Sequence, residues 1–349
     1  MKISPVAVAG HEEVVRVEES ASGLVGFIAI HSTQRGPAAG GLRMRPYPGE
    51  DAALEDALRL SRGMTYKNAA ADLPLGGGKA VIIGDPRKHK SPGLLAAFGE
   101  AVEALDGRYW TAEDMGMTPA DMAIIGTRTR FVAGLADGAY ASGDPSPVTA
   151  RGIYNAIRTA ARHRFGSDAL AGRRVAVQGL GHVGMHLCAL LDDAGASLTV
   201  ADVAESAVAE AVSRFGATPV SPEAILSVEA DILAPCAIGA ILHENTIRDL
   251  HVSVVAGGAN NQLATAEDAG RLHARGILYA PDFVANGGGI INVATEILRV
   301  DARQNWVAEK LAALDLTMDR ILTRAAQRGV SPNDVAEAIV DEMLAREAA

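Results

Sequence analysis

Between Arg173 and Asp202 the chain reads strand, glycine turn, helix, strand. Arg174-Val-Ala-Val-Gln178 is a short apolar run of the kind that forms a buried strand. Gly179-Leu-Gly181-His-Val-Gly184 follows at once, a helical stretch continues through Leu191, and Leu198-Thr-Val-Ala-Asp202 supplies a second strand ending in an acid. The pattern G-x-G-x-x-G alone is weak. In this context it predicts an α/β fold with a doubly wound, Rossmann-type sheet and a dinucleotide at the first strand-to-helix turn. Gly179 and Gly181 allow the tight turn and close approach to a pyrophosphate, and Gly184 lets the helix pack on the strand. Leu180, His182 and Val183 fill the slots between. Asp202 can accept hydrogen bonds from both ribose hydroxyls and would repel a 2′-phosphate. Val203 and Ala204 bring no arginine to hold one. The expected cofactor is therefore NAD rather than NADP.

His182 and His186 lie one helical turn apart, which raises the question of zinc. No third ligand is near them in sequence and no H-E-x-x-H occurs, so no metal is expected. Two later segments, Ala230 to Gly239 and Ser253 to Asn261, each end a strand in a loop of small residues. In a doubly wound sheet such strand ends face the ligand crevice. Asn260 and Asn261 there suit an amide-bearing cofactor or a polar substrate; an Asn-rich turn reads equally well.

The second concentrated signal is Met64-Thr-Tyr-Lys67-Asn-Ala-Ala-Ala-Asp-Leu-Pro74-Leu-Gly-Gly-Gly78-Lys79-Ala-Val-Ile-Ile83. The chain holds only six lysines, and two stand here in small, apolar surroundings. An amine can lose its proton when desolvated or placed near another cation, whereas a guanidinium effectively cannot. The glycines allow close approach of backbone or ligand. The run Ala80 to Ile83 reads as a buried strand, which puts Lys79 at a strand start. The alternative is a pair of surface lysines snorkelling around a glycine turn.

At 349 residues two domains are expected. Two cysteines, Cys188 and Cys236, have no metal or redox spacing, and the first residues lack a signal-peptide core, so a cytoplasmic protein without disulfides is expected. A net charge of −10 disfavours nucleic acid, and no apolar run is long enough to span a bilayer. Strands are expected at 14–17 and 24–30, a helix from Asp51 to Met64 that delivers Lys67, and a linking helix from Thr149 to His163. Further helices are expected to open at Ser91-Pro92, Thr118-Pro119, Ser221-Pro222 and Ser331-Pro332. Arg108 to Asp114 reads as a short strand and a loop whose acids, Glu113 and Asp114, are either functional or a solvated turn. Gly134 to Pro147, rich in Gly, Ala, Ser and Pro, is the expected domain boundary.

With these pieces in order, the chain resembles the glutamate/leucine/phenylalanine/valine dehydrogenase superfamily over nearly its whole length. The set is Gly-Gly-Leu-Arg43, Lys67, Gly-Gly-Gly-Lys79, Thr-Ala-Glu-Asp114, the glycine fingerprint, Ala-Pro-Cys236-Ala and Ala-Asn260-Asn. Its length and its Leu-Pro-Leu-Gly-Gly-Gly-Lys form are similar to the leucine/valine/phenylalanine branch. The resemblance implies reversible oxidative deamination: an L-amino acid, NAD and water give a 2-oxo acid, ammonium and NADH. It implies that Lys79 and Asp114 are catalytic and that Lys67, with the backbone near Gly41, holds the substrate carboxylate. Arg43, Thr149, Cys236, Ala237, Ala259 and Asn260 would surround the cofactor, Asn260 also touching substrate. Ala39, Ala112, Ile290 and Val293 would line the side-chain pocket; being apolar, they favour leucine, valine or isoleucine over glutamate, with phenylalanine the alternative. A non-catalytic nucleotide-binding protein on the same fold is the remote alternative. The implied architecture is a substrate, catalytic and oligomerisation domain from 1–134 and 325–349, an NAD-binding domain from 135–324, a cleft between them, and a homo-oligomer. Gly287 and Gly258 depart from the family's frequent Ala, and Ala or Ser.

Overall fold

The computed structural model describes residues 1–347. They form two compact units. The first comprises Met1–Pro145, Ile290–Ala308 and Met343 onward; the second comprises Ser146–Gly289 and Glu309–Glu342.

The first unit is built on a six-stranded sheet: β1 (Lys2–Pro5), β2 (Glu13–Glu19), β3 (Leu24–Ser32), β4 (Ala38–Arg45), β5 (Gly76–Ile83) and β6 (Tyr109–Glu113), in the order β1-β2-β3-β5-β4-β6. β1, β2, β3 and β5 pair antiparallel; β5, β4 and β6 pair parallel. A parallel neighbour needs a crossover. α1 (Glu50–Ala70) supplies it between β4 and β5, and α2 (Pro92–Glu103) between β5 and β6. α3 (Pro119–Gly126) follows. The Ser-Pro and Thr-Pro signals work as caps here: Ser91 Oγ accepts from the Leu94 N–H, and Thr118 and Asp121 form a reciprocal capping box.

The lysine expected at the start of a strand lies inside one. β5 begins at Gly76, Gly77 pairs with Ala39 and Gly78 with Ile30, and Lys79 stands opposite Ala29. The glycines admit protein rather than ligand. A Cβ on Gly77 would lie 2.1 Å from the Thr65 nitrogen of α1, and one on Gly78 would lie 2.7 Å from the Tyr109 ring. Helix α1 therefore rests directly on β5.

The second unit opens with α4 (Ser146–Phe165) and continues β7 (Arg174–Gln178), α5 (His182–Asp193), β8 (Ser197–Ala201), α6 (Glu205–Phe215), β9 (Thr218–Pro219), β10 (Ile232–Pro235), α7 (Glu244–Arg248), β11 (Val254–Val255), α8 (Glu267–Ala274), β12 (Leu278–Tyr279) and α9 (Asp282–Ala285). Its sheet is wholly parallel in the order β12-β11-β10-β7-β8-β9. Read from β9, the strands run third, second, first, fourth, fifth, sixth, which is the doubly wound order with its switch point beside β7. The helix expected at Ser221-Pro222 is only a 3₁₀ turn, Ile225–Ser227. The chain turns immediately afterwards into β10, whose four residues are buried.

Three helices complete the chain: α10 (Gly288–Ile297), α11 (Arg303–Arg328) and α12 (Pro332–Glu347). The first stretch of the first unit runs to Pro145, past the expected end at 134 and inside the expected boundary segment Gly134 to Pro147. The reason is Glu296, only 7% exposed, which accepts hydrogen bonds from Gly134 N (2.8 Å), Ser142 N (3.1 Å) and Ser142 Oγ (2.9 Å). Arg303 adds bonds to the Ala141 carbonyl (3.0 Å) and Asn292 Oδ1 (2.7 Å). The segment expected to return to the first unit, 325–349, does so only from Met343. Upstream of that, α11 is tied to α4, where Asn155 donates to Asp315 and His163 and Arg162 meet Asp319, each at 2.8 Å. Among the described residues no helix is long and apolar enough to cross a membrane.

Candidate functional site

The first unit gathers most of the expected chemistry on the neighbouring strands β4, β5 and β6 and just beyond the end of β6. Register places Gly41 opposite Ala112, with Arg43 two residues further along β4. Lys79 points from β5, 6% exposed, and its ammonium pairs with Asp114 Oδ2 just beyond β6. Arg43 approaches the same oxygen at 3.4 Å and holds Asp56 of α1 at 3.1 Å. Asp56 also accepts from Tyr47 OH and from Arg59, both at 2.8 Å. The Met115 N–H donates to the other Asp114 oxygen at 2.6 Å. A Cβ on Gly41 would lie 2.9 Å from Asp114 Cβ, so glycine keeps that backbone against the carboxylate.

Burial alone would raise the Asp114 carboxyl, but Lys79 and Arg43 outweigh it and hold it at about 2, below the ordinary 3.8. Burial likewise opposes ionisation of Asp56, and Tyr47, Arg59 and Arg43 together keep its carboxyl below the usual range. The cluster therefore presents one carboxylate, ionised at neutral pH, shared between an amine and a guanidinium.

Arg43, expected at the cofactor, has its guanidinium between Asp56 and Asp114. Lys67 lies in the last turn of α1, the helix that Gly77 seats on β5. Ala39, Ala112, Ile290 and Val293 also belong to the first unit, and all four are buried. Asp56 and Tyr47 carry no motif; only the fold brings them to Arg43.

The second unit holds the remaining expected residues: Thr149, the Gly179–Gly184 turn, Asp202, Val203, Cys236, Ala237, Ala259 and Asn260. Gly179 has φ +96° and sits against Ala237, where a Cβ would lie 2.7 Å from the Ala237 Cβ. Gly184 backs onto the Gly179 carbonyl, 2.0 Å from where its Cβ would be. Gly181 has nothing within 4 Å of its Cβ position. Two glycines are thus needed by the protein itself, and the middle one faces open space, as a pyrophosphate cradle requires. Asp202 directly follows β8 and accepts from Leu180 N (2.6 Å) and Ala204 N (2.8 Å). A carboxylate has about four acceptor positions, so two remain for hydroxyls. Val203 is 88% exposed beside it. Burial pushes the Cys236 thiol up to about 11, so it stays neutral. Asn286, a residue the sequence pattern did not single out, donates to Asn260 Oδ1 at 2.9 Å. Among the described residues no three His, Cys, Asp or Glu side chains are grouped to hold a metal.

A doubly wound sheet with this glycine turn, in a chain that also carries a buried lysine–carboxylate–arginine cluster, defines a two-domain α/β dehydrogenase. Comparison with known proteins narrows the class. The family profile described as "Glu/Leu/Phe/Val dehydrogenase, dimerisation domain" matches residues 9–131, and "Glutamate/Leucine/Phenylalanine/Valine dehydrogenase" matches residues 198–343. The leucine dehydrogenase of Bacillus subtilis is 46% identical over 336 residues, 96% of this chain and 92% of its own. The phenylalanine dehydrogenase of Lysinibacillus sphaericus is 48% identical over 295 residues, 83% of this chain and 77% of its own. The crystal structure of L-tryptophan dehydrogenase from Nostoc punctiforme superposes with a TM-score of 0.84 at 41% identity, covering 97% of both chains. The chain belongs to the Glu/Leu/Phe/Val dehydrogenase family. It is an oxidoreductase acting on the CH–NH2 group of amino acids by oxidative deamination, with a nicotinamide cofactor.

Proposed function

We propose that this enzyme deaminates branched-chain aliphatic L-amino acids with NAD, and that Lys79 and Asp114 carry the chemistry. The observation that carries the reading is the sharing of Asp114 Oδ2 between Lys79 and Arg43. Hydride leaves Cα only when the amine is neutral, so a base must stand at the amine. Asp114, ionised at neutral pH, takes that proton. The nicotinamide, when bound, accepts the hydride. Lys79 then stabilises charge on the oxygen that water brings to Cα, and Arg43 keeps Asp114 paired while Lys79 engages the substrate. We assign Arg43 to Asp114 because both of its ion pairs lie there. Lys67 and the Gly41 backbone hold the substrate carboxylate.

The Gly179–Gly184 turn with Leu180, His182 and Val183, together with Thr149, Cys236, Ala237, Ala259 and Asn260, holds the dinucleotide. Asp202, with exposed Val203 beside it and no arginine following, supports NAD over NADP. For the side chain of the substrate we assign Ala39, Ala112, Ile290 and Val293. All are buried and apolar, so a glutamate side chain would place an unpaired charge there at a cost of several kcal/mol. Branched Ile290 and Val293 favour leucine, valine and isoleucine. Small Ala39 supports the second reading, an aromatic substrate. A panel of kcat/KM values over L-amino acids, followed by NADH absorbance, decides between them: phenylalanine or tryptophan ahead of leucine and valine by tenfold or more would overturn the branched-chain reading. By its family resemblance we also take the enzyme to be a homo-oligomer, and by its cysteine usage cytoplasmic. Light scattering and cell fractionation test these two points.

A further inference from the structure

We propose that Tyr109 is a positioning residue that turns the Gly40–Gly41 peptide so that its N–H serves the substrate carboxylate. The inference rests on the reading that Lys67 and the Gly41 backbone hold that carboxylate, and every residue it uses lies in the first unit. Strand alternation sets the two faces of the sheet. Ala38 pairs with Gly76 on one side and with Tyr109 on the other, so these three positions share a face. Tyr109 is fully buried there, in the core that Leu94 and Phe98 of α2 complete. Lys79 stands three residues beyond Gly76 and so faces the other way, with Gly77, toward α1.

The ladder between β4 and β5 breaks at this point. Ala39 pairs with Gly77, and Leu42 pairs with Ala80 in the same register, but among the described residues no bridge joins Gly40 to Gly78 or Gly41 to Lys79. The backbone phase shows which bond is lost. Ala38 N donates to the Arg108 carbonyl at 2.9 Å, so the N–H and C=O groups of Ala38, Gly40 and Leu42 face β6. Those of Ala39, Gly41 and Arg43 face β5. The bonds from Gly76 N to the Pro37 carbonyl and from Gly84 N to the Arg45 carbonyl, both 3.0 Å, keep the same phase. The bond common to both missing bridges is the one from Gly41 N to the Gly78 carbonyl. That carbonyl instead presses on Gly40, 1.8 Å from where a Cβ would stand.

The Tyr109 hydroxyl supplies the cause. It donates to the Gly40 carbonyl at 2.7 Å, with Thr111 Oγ1 farther off at 3.4 Å. Pairing with β6 is unbroken from Ala38 to Leu42, so that carbonyl already takes the Ala112 N–H, and the phenol adds a second bond from the α2 face. The peptide is planar and trans, so drawing its oxygen toward α2 swings the Gly41 N–H toward α1 and Lys79. Phenylalanine would fill the same space without burying a hydroxyl, so packing alone does not call for tyrosine here. The consequence is a backbone donor turned out of the sheet on the face where Lys79 meets Asp114. There it joins Lys67 in binding the carboxylate.

The test is Tyr109→Phe in the full-length enzyme, read by KM and kcat for leucine, NADH affinity by fluorescence, and inhibition by two fragments of the substrate. 4-Methylpentanoate keeps the carboxylate and lacks the amine; 3-methylbutylamine keeps the amine and lacks the carboxylate. The variant should raise KM and the Ki of 4-methylpentanoate by about tenfold, and leave kcat, NADH affinity and the Ki of 3-methylbutylamine within about twofold. Tyr109→Met carries the same comparison if the phenylalanine variant fails to fold. An unchanged Ki for 4-methylpentanoate would overturn the proposal. Equal losses for both fragments would mark a merely structural role and overturn it as well. A wild type inactive on every amino acid would overturn the functional reading, whereas an active wild type matched by Tyr109→Phe would overturn this inference alone.

Discussion

Asp114 is the residue on which the proposed chemistry turns, and its surroundings separate the roles of its neighbours. Lys79 and Arg43 meet the same oxygen, but only the amine can exchange a proton. Lys79→Ala and Asp114→Asn are each expected to lower kcat by about 10²–10⁴, the usual effect of removing a positioned acid or base, while NADH still binds. Lys67→Ala is expected to raise KM strongly with a smaller change in kcat, because it loses a charge-assisted contact made in ground and transition states alike. Steady-state kinetics together with NADH titration separate the two patterns. Near-normal turnover by Lys79→Ala would remove that lysine from the mechanism. Asp202 makes a residue-scale prediction of its own. The unmutated enzyme should prefer NAD, and Asp202→Ser with arginine in place of Val203 should narrow or reverse the preference. Equal kcat/KM for both cofactors before mutation would contradict it.

Among the elements, α1 and β5 form the joint that sets the position of both lysines. Gly77 lets the helix backbone touch the strand, with 2.1 Å between its would-be Cβ and Thr65 N. Gly77→Ala must push α1 away, and overpacking of this kind costs about 1–3 kcal/mol. The expected result is a melting temperature lower by several degrees and a raised KM, since α1 carries Lys67. Gly63 lies within the same helix, is exposed, and has nothing within 4 Å of its Cβ position. Gly63→Ala is therefore expected to stabilise by about 0.4–1 kcal/mol with unchanged kinetics. Calorimetry on the two variants checks the pair; similar effects from both would show that the joint is not tight. The Glu296 cluster shows why element boundaries are hard to read from composition. Gly134 to Pro147 looks like a linker because it is rich in Gly, Ala, Ser and Pro, yet a buried carboxylate far along the chain fastens Gly134 and Ser142 of it to α10.

For the molecule as a whole, acid stability has a definite sign. His31 packs edge-on to His11 with ring centroids 5.0 Å apart and bonds Thr65 Oγ1 at 2.8 Å. Burial, then His11 and Arg62, lower it to about 4 from an ordinary 6.5, against an opposing pull from Glu12. The folded value lies below the unfolded one, so the unfolded chain binds more protons between them. Stability is unaffected above pH 6.5 and falls as pH drops from 6.5 toward 4. Asp114 adds a second loss lower down, as pH falls from its ordinary 3.8 toward about 2. Urea midpoints at neutral and mildly acidic pH should fall for the wild type and fall less for His31→Gln. An identical fall in both would place the titrating group elsewhere.

The sequence by itself determined the local elements and the identity of the chemistry. Strand, glycine fingerprint, helix and acid lie within one short stretch, and their order alone implies a doubly wound sheet. The Lys67–Lys79 stretch and Thr-Ala-Glu-Asp114 mark the family in the same way. These signals depend on neighbours a few residues apart, where backbone period, caps and turn chemistry act. The tertiary structure alone decided which ionised groups meet. It set Asp56 and Tyr47 behind Arg43, put Lys79 inside β5 rather than at its start, divided the C-terminal helices between the units, and brought Asn286 to Asn260. Side-chain pairing between residues distant in sequence carries no local period, because it depends on where the packed backbones of separate elements bring those side chains together.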